Sequence, residues 1–336
     1  MYTNLPILAL LAAGTVAAQA PKADSSAKPD YNPPAGAPYK AVSVTVPTPR
    51  GYTLAGTLTL PPGASASHRV PVVVTITGSG PQDRDEALPF GGYRPFRQIA
   101  DTLSRRGIAV LRMDDRGTAA SGGTFKGTTD EGFRDDIRAG LAYLRTRPDV
   151  DTTRFALVGH SEGAIIAPMV AEDEPRVRAI VLLAGVAGNL LPTLTYQLTN
   201  GIQHNDKLTA TQKDSAVAAL PQRLDSIKAS DPWWNFILTH DFSDDQRHVK
   251  SAAVLILTGE HDQQAEPKYV PQMVANFKAA GNRDVVAEVI PGVNHLFVTD
   301  PDGFPGGYAK LPAPLMIRSD VLGIVANWLV KRLDVK

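Results

Sequence analysis

Residues 155–163 read Phe-Ala-Leu-Val-Gly-His-Ser-Glu-Gly, and this stretch decides the fold of the chain. Its first four residues are typical of a buried strand, and the residues that follow Gly163 favour a helix. The intervening Gly-x-Ser-x-Gly pattern is typical of a sharp strand-to-helix turn that exposes a serine hydroxyl. Gly159 and Gly163 lack a Cβ, so the backbone can pack closely there. We therefore predict that Ser161 is a nucleophile at the carboxyl end of a strand.

The segments on either side of this turn alternate between strand-like and helix-like patterns. Two runs with period-2 alternation, joined by a turn at 47–51, predict an antiparallel pair at the start. Runs apolar on both faces, typical of central strands in a parallel sheet, occur at 70–76, 108–113, 155–158, 179–183, 253–257 and 285–290. Helical spacing of apolar residues separates many of them. We predict an α/β fold with a mostly parallel, doubly wound sheet over residues 41–185 and 251–336.

Residues 186–250 interrupt the alternation, because no strand pattern is evident there. Several helices with polar joints are predicted between 189 and 240, one of them over 209–227. An insertion of this size in a wound sheet commonly covers the carboxyl ends of the strands, where ligands bind. We predict a helical cap or lid.

Two later loops offer partners for the serine. One predicted strand is followed by Thr-Gly-Glu-His-Asp, and the spacing favours Asp262 as the acid, with Glu260 as the alternative. His261 is expected to be a surface loop residue. The loop after the last strand contains His295, where a general base is expected. In this assignment His295 takes the proton of Ser161 and Asp262 orients the ring.

Acyl transfer also requires N–H donors for the oxygen that becomes negative in the transition state. The amide of Glu162, directly after the nucleophile, is predicted to be one donor. The glycine-rich loop after the strand at 70–76 supplies the other, with the Ser79 amide preferred and that of Gly80 as the alternative. Gly80 is also predicted to contact substrate. Pro81 has no N–H and cannot serve.

The other histidines give no sign of a metal site. His160 adjoins the nucleophile, and we expect it to pack beneath the turn. The remaining four lack metal-ligand spacing; they are His68, His204, His240 and His248. The glycine-rich loop is not followed by Gly-Lys-Ser/Thr, which disfavours phosphate binding. No metal or other cofactor is expected.

Composition excludes several classes of function. The 336 residues include no cysteine, which rules out disulfides, thiol catalysis and cysteine-ligated zinc. Basic and acidic residues balance at 34 each, which argues against a nucleic-acid partner. With 43% hydrophobic residues, the chain can bury a sizeable core.

The amino terminus predicts export. Residues 5–18 are apolar, shorter than the roughly 20 residues that a membrane span requires, and cleavage after Ala18 or Ala20 is plausible. We predict a signal peptide over 1–20, a flexible linker over 21–40, and a periplasmic or extracellular protein without stable membrane insertion after signal removal. The alternative is an apolar tail on a cytosolic protein.

Several blocks together resemble the serine esterases of the α/β-hydrolase fold, in the branch near the serine aminopeptidase-like hydrolases. The similarity is greatest to bacterial carboxylesterases whose loop reads Gly-Ser-Gly-Pro-x-Asp-Arg-Asp-Glu, as residues 78–86 do here. The other blocks are Asp-Arg-Gly at 115–117, the Gly-x-Ser-x-Gly turn at 159–163, Asp-Pro-Trp-Trp-Asn-Phe at 231–236, and residues 259–262 and 294–295. The resemblance covers residues 41–335. It implies cofactor-free hydrolysis of carboxylic esters, commonly with short acyl chains.

The resemblance leaves the substrate open. A small-molecule ester is expected, but a peptidase, amidase or thioesterase would use the same three side chains, since the difference lies in the pocket and cap. A fold member that only binds a ligand is a third alternative.

Two further hypotheses concern the surroundings of the site. Trp233 and Trp234 are candidates for the wall of the acyl pocket, although aromatic packing within the cap is an equal alternative. Glu162 is expected to pair with Arg84 or Arg116 and so to brace the turn.

Overall fold

A computed structural model describes residues 30–335 and contains an eight-stranded sheet. The sheet order is β1-β2-β4-β3-β5-β6-β7-β8. The strands are β1 (Lys40–Pro47), β2 (Thr53–Leu60), β3 (Val70–Ile76), β4 (Ala109–Met113), β5 (Val150–His160), β6 (Val177–Leu183), β7 (Ala253–Gly259) and β8 (Val285–Ile290). The predicted signal peptide over 1–20, and the predicted linker as far as residue 29, lie outside the described residues.

The strand pairings follow the sequence pattern closely. β1 pairs with β2, and β2 with β4, in antiparallel fashion. All pairings along the rest of the sheet, in the order β4-β3-β5-β6-β7-β8, are parallel. All residues of β3 and β7 are buried, as expected for runs that are apolar on both faces. β8 differs from the expectation of a central strand. It lies at the edge of the sheet, and Val286 is 42% exposed.

Helices connect most of the parallel strands. Within residues 30–335 the α-helices are α1 (Pro95–Ser104), α2 (Asp130–Leu144), α3 (Glu162–Ala171), α4 (Leu191–Gln203), α5 (Ala210–Ala218), α6 (Leu220–Lys228), α7 (Pro232–Thr239), α8 (Phe242–His248), α9 (Val270–Ala279) and α10 (Ser319–Arg332). α3 packs against β5 and β6, and α9 packs against β8. None of the helices in this part of the chain is long and apolar enough to cross a membrane.

Five helices, α4 to α8, occupy the insertion between β6 and β7. The helix predicted over 209–227 is wrong in one respect, because it is two helices that meet at Ala219. Pro221 lies in the first turn of α6. Proline lacks an N–H and its ring clashes with the preceding turn, so it starts a new helix rather than continuing the old one.

Three Arg–Asp pairs are buried near the end of β4. Arg84 donates from Nη2 to Asp114 Oδ2 at 2.6 Å and from Nε to Asp114 Oδ1 at 2.9 Å. Arg112 pairs with Asp85, and burial lowers the pKa of Arg112 to about 10. The third pair is Arg116 with Asp136, at 2.6 Å. The first two pairs fix the loop that follows β3, because Arg84 and Asp85 both belong to it.

We expect Arg84→Met to destabilise the protein by about 3–5 kcal/mol, because Asp114 would remain as an unpaired buried charge. Arg50→Met removes a matched pair with Asp135 whose arginine is 62% exposed, and should cost less than about 1 kcal/mol. Urea denaturation of both variants measures the two losses. Equal losses would contradict the role given to the buried pair.

Candidate active site

Ser161 lies on a strained turn between β5 and α3. Its φ is 54° and its ψ is −116°, in a region that costs a non-glycine residue about 1–3 kcal/mol. A Cβ on Gly159 would lie 2.0 Å from the Gly163 carbonyl oxygen, and a Cβ on Gly163 would lie 2.1 Å from that of Ile76. Only glycine therefore fits at 159 and 163, and the turn presents Ser161 at the start of a helix.

The structure brings Asp262, not Glu260, to His295. His295 Nδ1 lies 2.8 Å from Asp262 Oδ2, and both side chains are buried. Asp262 Oδ1 accepts backbone N–H bonds from Gln264 and Ala265, both at 2.8 Å. The carboxylate is thereby fixed, and it holds the proton of His295 on Nδ1. Nε2 is left as the nitrogen that can accept a proton.

The two residues before Asp262 point elsewhere. Glu260 is exposed and accepts the amide of Gly292 at 2.9 Å. His261 is half-buried, and its Nδ1 bonds to the Asp300 carbonyl oxygen at 2.6 Å. His261 is thus part of a loop–loop contact and not of the His295 pair.

The loop that carries His295 is rigidly held. Asn294 Oδ1 accepts the amides of Leu296 and Val298 at 3.0 and 3.2 Å. Tyr93 donates its hydroxyl to the Leu296 carbonyl oxygen at 2.6 Å. The backbone on both sides of His295 is therefore fixed by side-chain hydrogen bonds.

The predicted oxyanion donors lie where the loop after β3 meets the turn. A Cβ on Gly78 would lie 3.3 Å from the Ser161 Cβ, so this loop is in contact with the nucleophile. The amides of Ser79, Gly80 and Glu162 donate no hydrogen bond within the described part of the chain. All three amides are therefore available to a ligand. Gly80, Gly78 and Glu162 also line a small cavity of about 30 Å³.

His160 is buried as expected, but it does more than pack beneath the turn. Its Nδ1 lies 2.5 Å from Glu86 Oε1, and its Nε2 lies 3.0 Å from the carbonyl oxygen of His295. The rings of His160 and His295 have centroids 4.9 Å apart. The sequence did not predict Glu86 as the partner of His160, although both residues belong to the blocks described above. The two positions are 74 residues apart, and no local pattern connects them.

Glu162 has a different partner from the one expected. Its Oε1 accepts the indole N–H of Trp233 at 2.7 Å. The predicted ion pair with Arg84 or Arg116 is wrong, because these arginines are bound to the aspartates Asp114 and Asp136. The bond to Trp233 links the first helix residue after Ser161 directly to the cap.

A second carboxyl group is buried beside Glu162. Asp130 begins α2 and has no exposed surface, and its carboxyl group has no cationic partner among residues 30–335. Burial, and then the charge of Glu162, raise the pKa of Asp130 well above its usual value. Burial also raises the pKa of Glu162, although the Trp233 bond opposes this. Two carboxyl groups near the turn thus favour their neutral forms.

The two tryptophans lie together at the start of α7. Their rings meet edge to face with centroids 4.4 Å apart, and both side chains are half-buried. Trp233 lies against Glu162, whereas Trp234 is held by Trp233. The contact places aromatic surface of the cap beside the side chain of Glu162, the residue that follows the predicted nucleophile.

Asp130→Asn should stabilise the protein, and more so at pH 8 than at pH 4.5. A carboxyl group whose pKa is raised on folding contributes most stability at low pH and loses it as pH rises toward the folded pKa. The variant removes this loss, so the gain at pH 8 should be about 1–3 kcal/mol, the order of the desolvation penalty of a buried group. Urea denaturation at both pH values, with the exposed Asp225→Asn as control, measures it. A gain in stability that does not depend on pH would contradict the raised pKa of Asp130.

The chain is similar to proteins that are described as esterases and hydrolases. The chain is 27% identical over 315 residues to the esterase EstD of Thermotoga maritima, covering 90% of this chain and 70% of that protein. The structure is similar to the α/β hydrolase GrgF of a Penicillium species, with a TM-score of 0.59, 16% identity, and coverage of 88% of this chain and 99% of that one. The esterase Pf2001 of Pyrococcus furiosus gives a TM-score of 0.60, 16% identity, and coverage of 90% and 97%.

The structural likenesses confirm the predicted α/β-hydrolase fold. The family model described as serine aminopeptidase, S33, matches residues 93–302, more than half of the sequence. The segment includes Ser161, Asp262 and His295. The chain therefore belongs to the serine aminopeptidase S33 family.

Proposed function

We propose that this protein hydrolyses carboxylic esters through an acyl-enzyme formed on Ser161. The observation that carries the proposal is the buried His295–Asp262 pair, joined at 2.8 Å, whose loop is bonded to the residue before Ser161. The relationship to a protein named as an esterase supports the same reaction. A serine on a strained turn and an imidazole fixed by a carboxylate are the two groups that this kind of nucleophilic catalysis needs.

In the proposed mechanism, Ser161 Oγ attacks the ester carbonyl carbon while His295 Nε2 accepts the hydroxyl proton. Asp262 stabilises the resulting imidazolium, which then gives its proton to the departing alcohol. Water repeats the sequence on the acyl-enzyme: His295 takes a proton from the water, the acid is released, and Ser161 regains its proton. The amides of Ser79 and Glu162, with Gly80 as the alternative, stabilise the negative oxygen in both halves.

We propose short acyl groups as substrates. Trp233 contacts the side chain of Glu162, whose amide is a proposed oxyanion donor, so the indole limits the space beside the acyl carbon. Trp234 backs this wall. We also propose that the protein acts outside the cytoplasm, because the pattern of residues 1–20 is that of a secretory signal.

A second candidate activity is the removal of an amino-terminal residue from a peptide. Two observations favour it: the matching family model is described as a serine aminopeptidase, and the buried carboxyl groups of Glu162 and Asp130 have no cationic partner among residues 30–335. An ammonium group of a substrate would supply that charge. The same serine chemistry would then act on an amide carbonyl.

Purified protein should hydrolyse p-nitrophenyl acetate and butyrate faster than the palmitate. Ser161→Ala and His295→Ala should each lower kcat by about 10⁴-fold or more, because nucleophile and base act as a unit. Ser226→Ala, on an exposed face of the cap, is the matched control and should keep full activity. Aminoacyl p-nitroanilides test the second candidate in parallel. Folded wild-type protein without turnover of any ester would contradict the proposal.

A further inference from the structure

The Glu86–His160 pair is buried next to the proposed triad, yet the proposed mechanism does not use it. Glu86 Oε2 accepts the amide of Gly78 at 3.2 Å, while its other oxygen contacts His160 Nδ1 at 2.5 Å. His160 Nε2 contacts the His295 carbonyl oxygen at 3.0 Å. One pair of side chains therefore touches the loop of the oxyanion donors, the strand that ends at the nucleophile, and the loop of the base.

The hydrogen-bond partners restrict where the protons of this pair can lie. A carbonyl oxygen only accepts, so His160 Nε2 must donate to His295. Nδ1 then either donates to a Glu86 carboxylate or accepts from the protonated acid, and Glu86 accepts from Gly78 in both cases. His160 consequently has no free nitrogen with which to take a proton from a substrate. Its role has to be sought in the bonds that it makes.

The sheet order explains why such bonds are needed. β8, which leads to the His295 loop, lies three strands away from β5, which carries Ser161. With neighbouring strands about 4.8 Å apart, the loop must return across roughly 14 Å to reach the nucleophile. The hydrogen bond from His160 Nε2 to the His295 carbonyl oxygen holds this loop next to the end of β5. On the other side of β5, Glu86 holds the loop that follows β3.

We propose that Glu86 and His160 are positioning residues that set the distance between Ser161, the imidazole of His295 and the amide of Ser79. This inference rests on the proposed function, because it assigns the pair a task in the same reaction. The task depends on hydrogen bonds and not on charge. A displacement of about 1 Å in such a site costs about 10²-fold in rate.

Two substitutions of His160 separate this role from simple packing. A glutamine amide nitrogen can reach the position of Nε2, whereas an asparagine amide nitrogen reaches only that of Nδ1. His160→Asn should therefore lower kcat for p-nitrophenyl acetate by about 10²-fold with KM within threefold. His160→Gln should recover at least tenfold of that loss. The exposed His68→Asn is the control and should equal wild type.

The same logic applies to the carboxylate. Glu86→Gln can remake every bond with a neutral imidazole, so its kcat should stay within threefold of wild type. Glu86→Leu should lose about 10²-fold. Equal losses in the glutamine and asparagine variants at 160, or equal losses in the glutamine and leucine variants at 86, would overturn the proposal. If one pair fails to fold, the other decides.

A measurement without substrate separates this inference from the proposed function. Proton NMR of the wild type should show far-downfield imidazole N–H signals for the His160–Glu86 and His295–Asp262 bonds. In His160→Asn the His295 signal should shift or broaden, and in His160→Gln it should return. An unchanged His295 signal in His160→Asn would overturn the positioning role even in a protein that hydrolyses esters. A responsive signal without ester turnover would retain the positioning role and reject the esterase assignment.

Discussion

The close approach of β5 and α3 at Gly159 and Gly163 is the constraint on which the rest of the site depends. Carbonyl oxygens occupy the space of both missing Cβ atoms, so the chain must reverse between them within three residues. Ser161 takes a positive φ as a result. The strain is sustained because β5 lies in the middle of the sheet, with β3 and β6 bonded to its two edges.

That turn organises the loops around it by proximity. Residue 160 faces the His295 loop, residue 161 contacts Gly78, and residue 162 receives the bond from the cap. Three consecutive residues thus meet three different parts of the chain. The Asp-Arg-Asp-Glu segment at 83–86 is similar, because its last three residues each bind a different buried partner. A sequence block of this kind is explained by its contacts and not by chemistry with a substrate.

The features predicted from sequence are those that depend on local pattern. A strand followed by a loop places Ser161, Asp262 and His295 at one edge of the sheet, because carboxyl ends of parallel strands coincide there. The contacts that escaped prediction join distant segments. Glu86 meets His160, and Trp233 meets Glu162, only after the strand order and the path of the cap are known. The position of β8 at the edge likewise follows from topology, whereas the helix break at Pro221 was readable from the sequence.

The cap enters and leaves the sheet at neighbouring strands, β6 and β7, whose ends are paired at Leu183 and Leu257. Its two junctions are therefore only about one strand spacing apart, roughly 5 Å. The entropic cost of closing a loop between two neighbouring points grows only slowly with the length of the loop. Helices can thus be gained, lost or exchanged in this insertion over evolution with little penalty to the sheet. In such an architecture the insertion that covers the site can change while the sheet and the side chains at its edge stay the same.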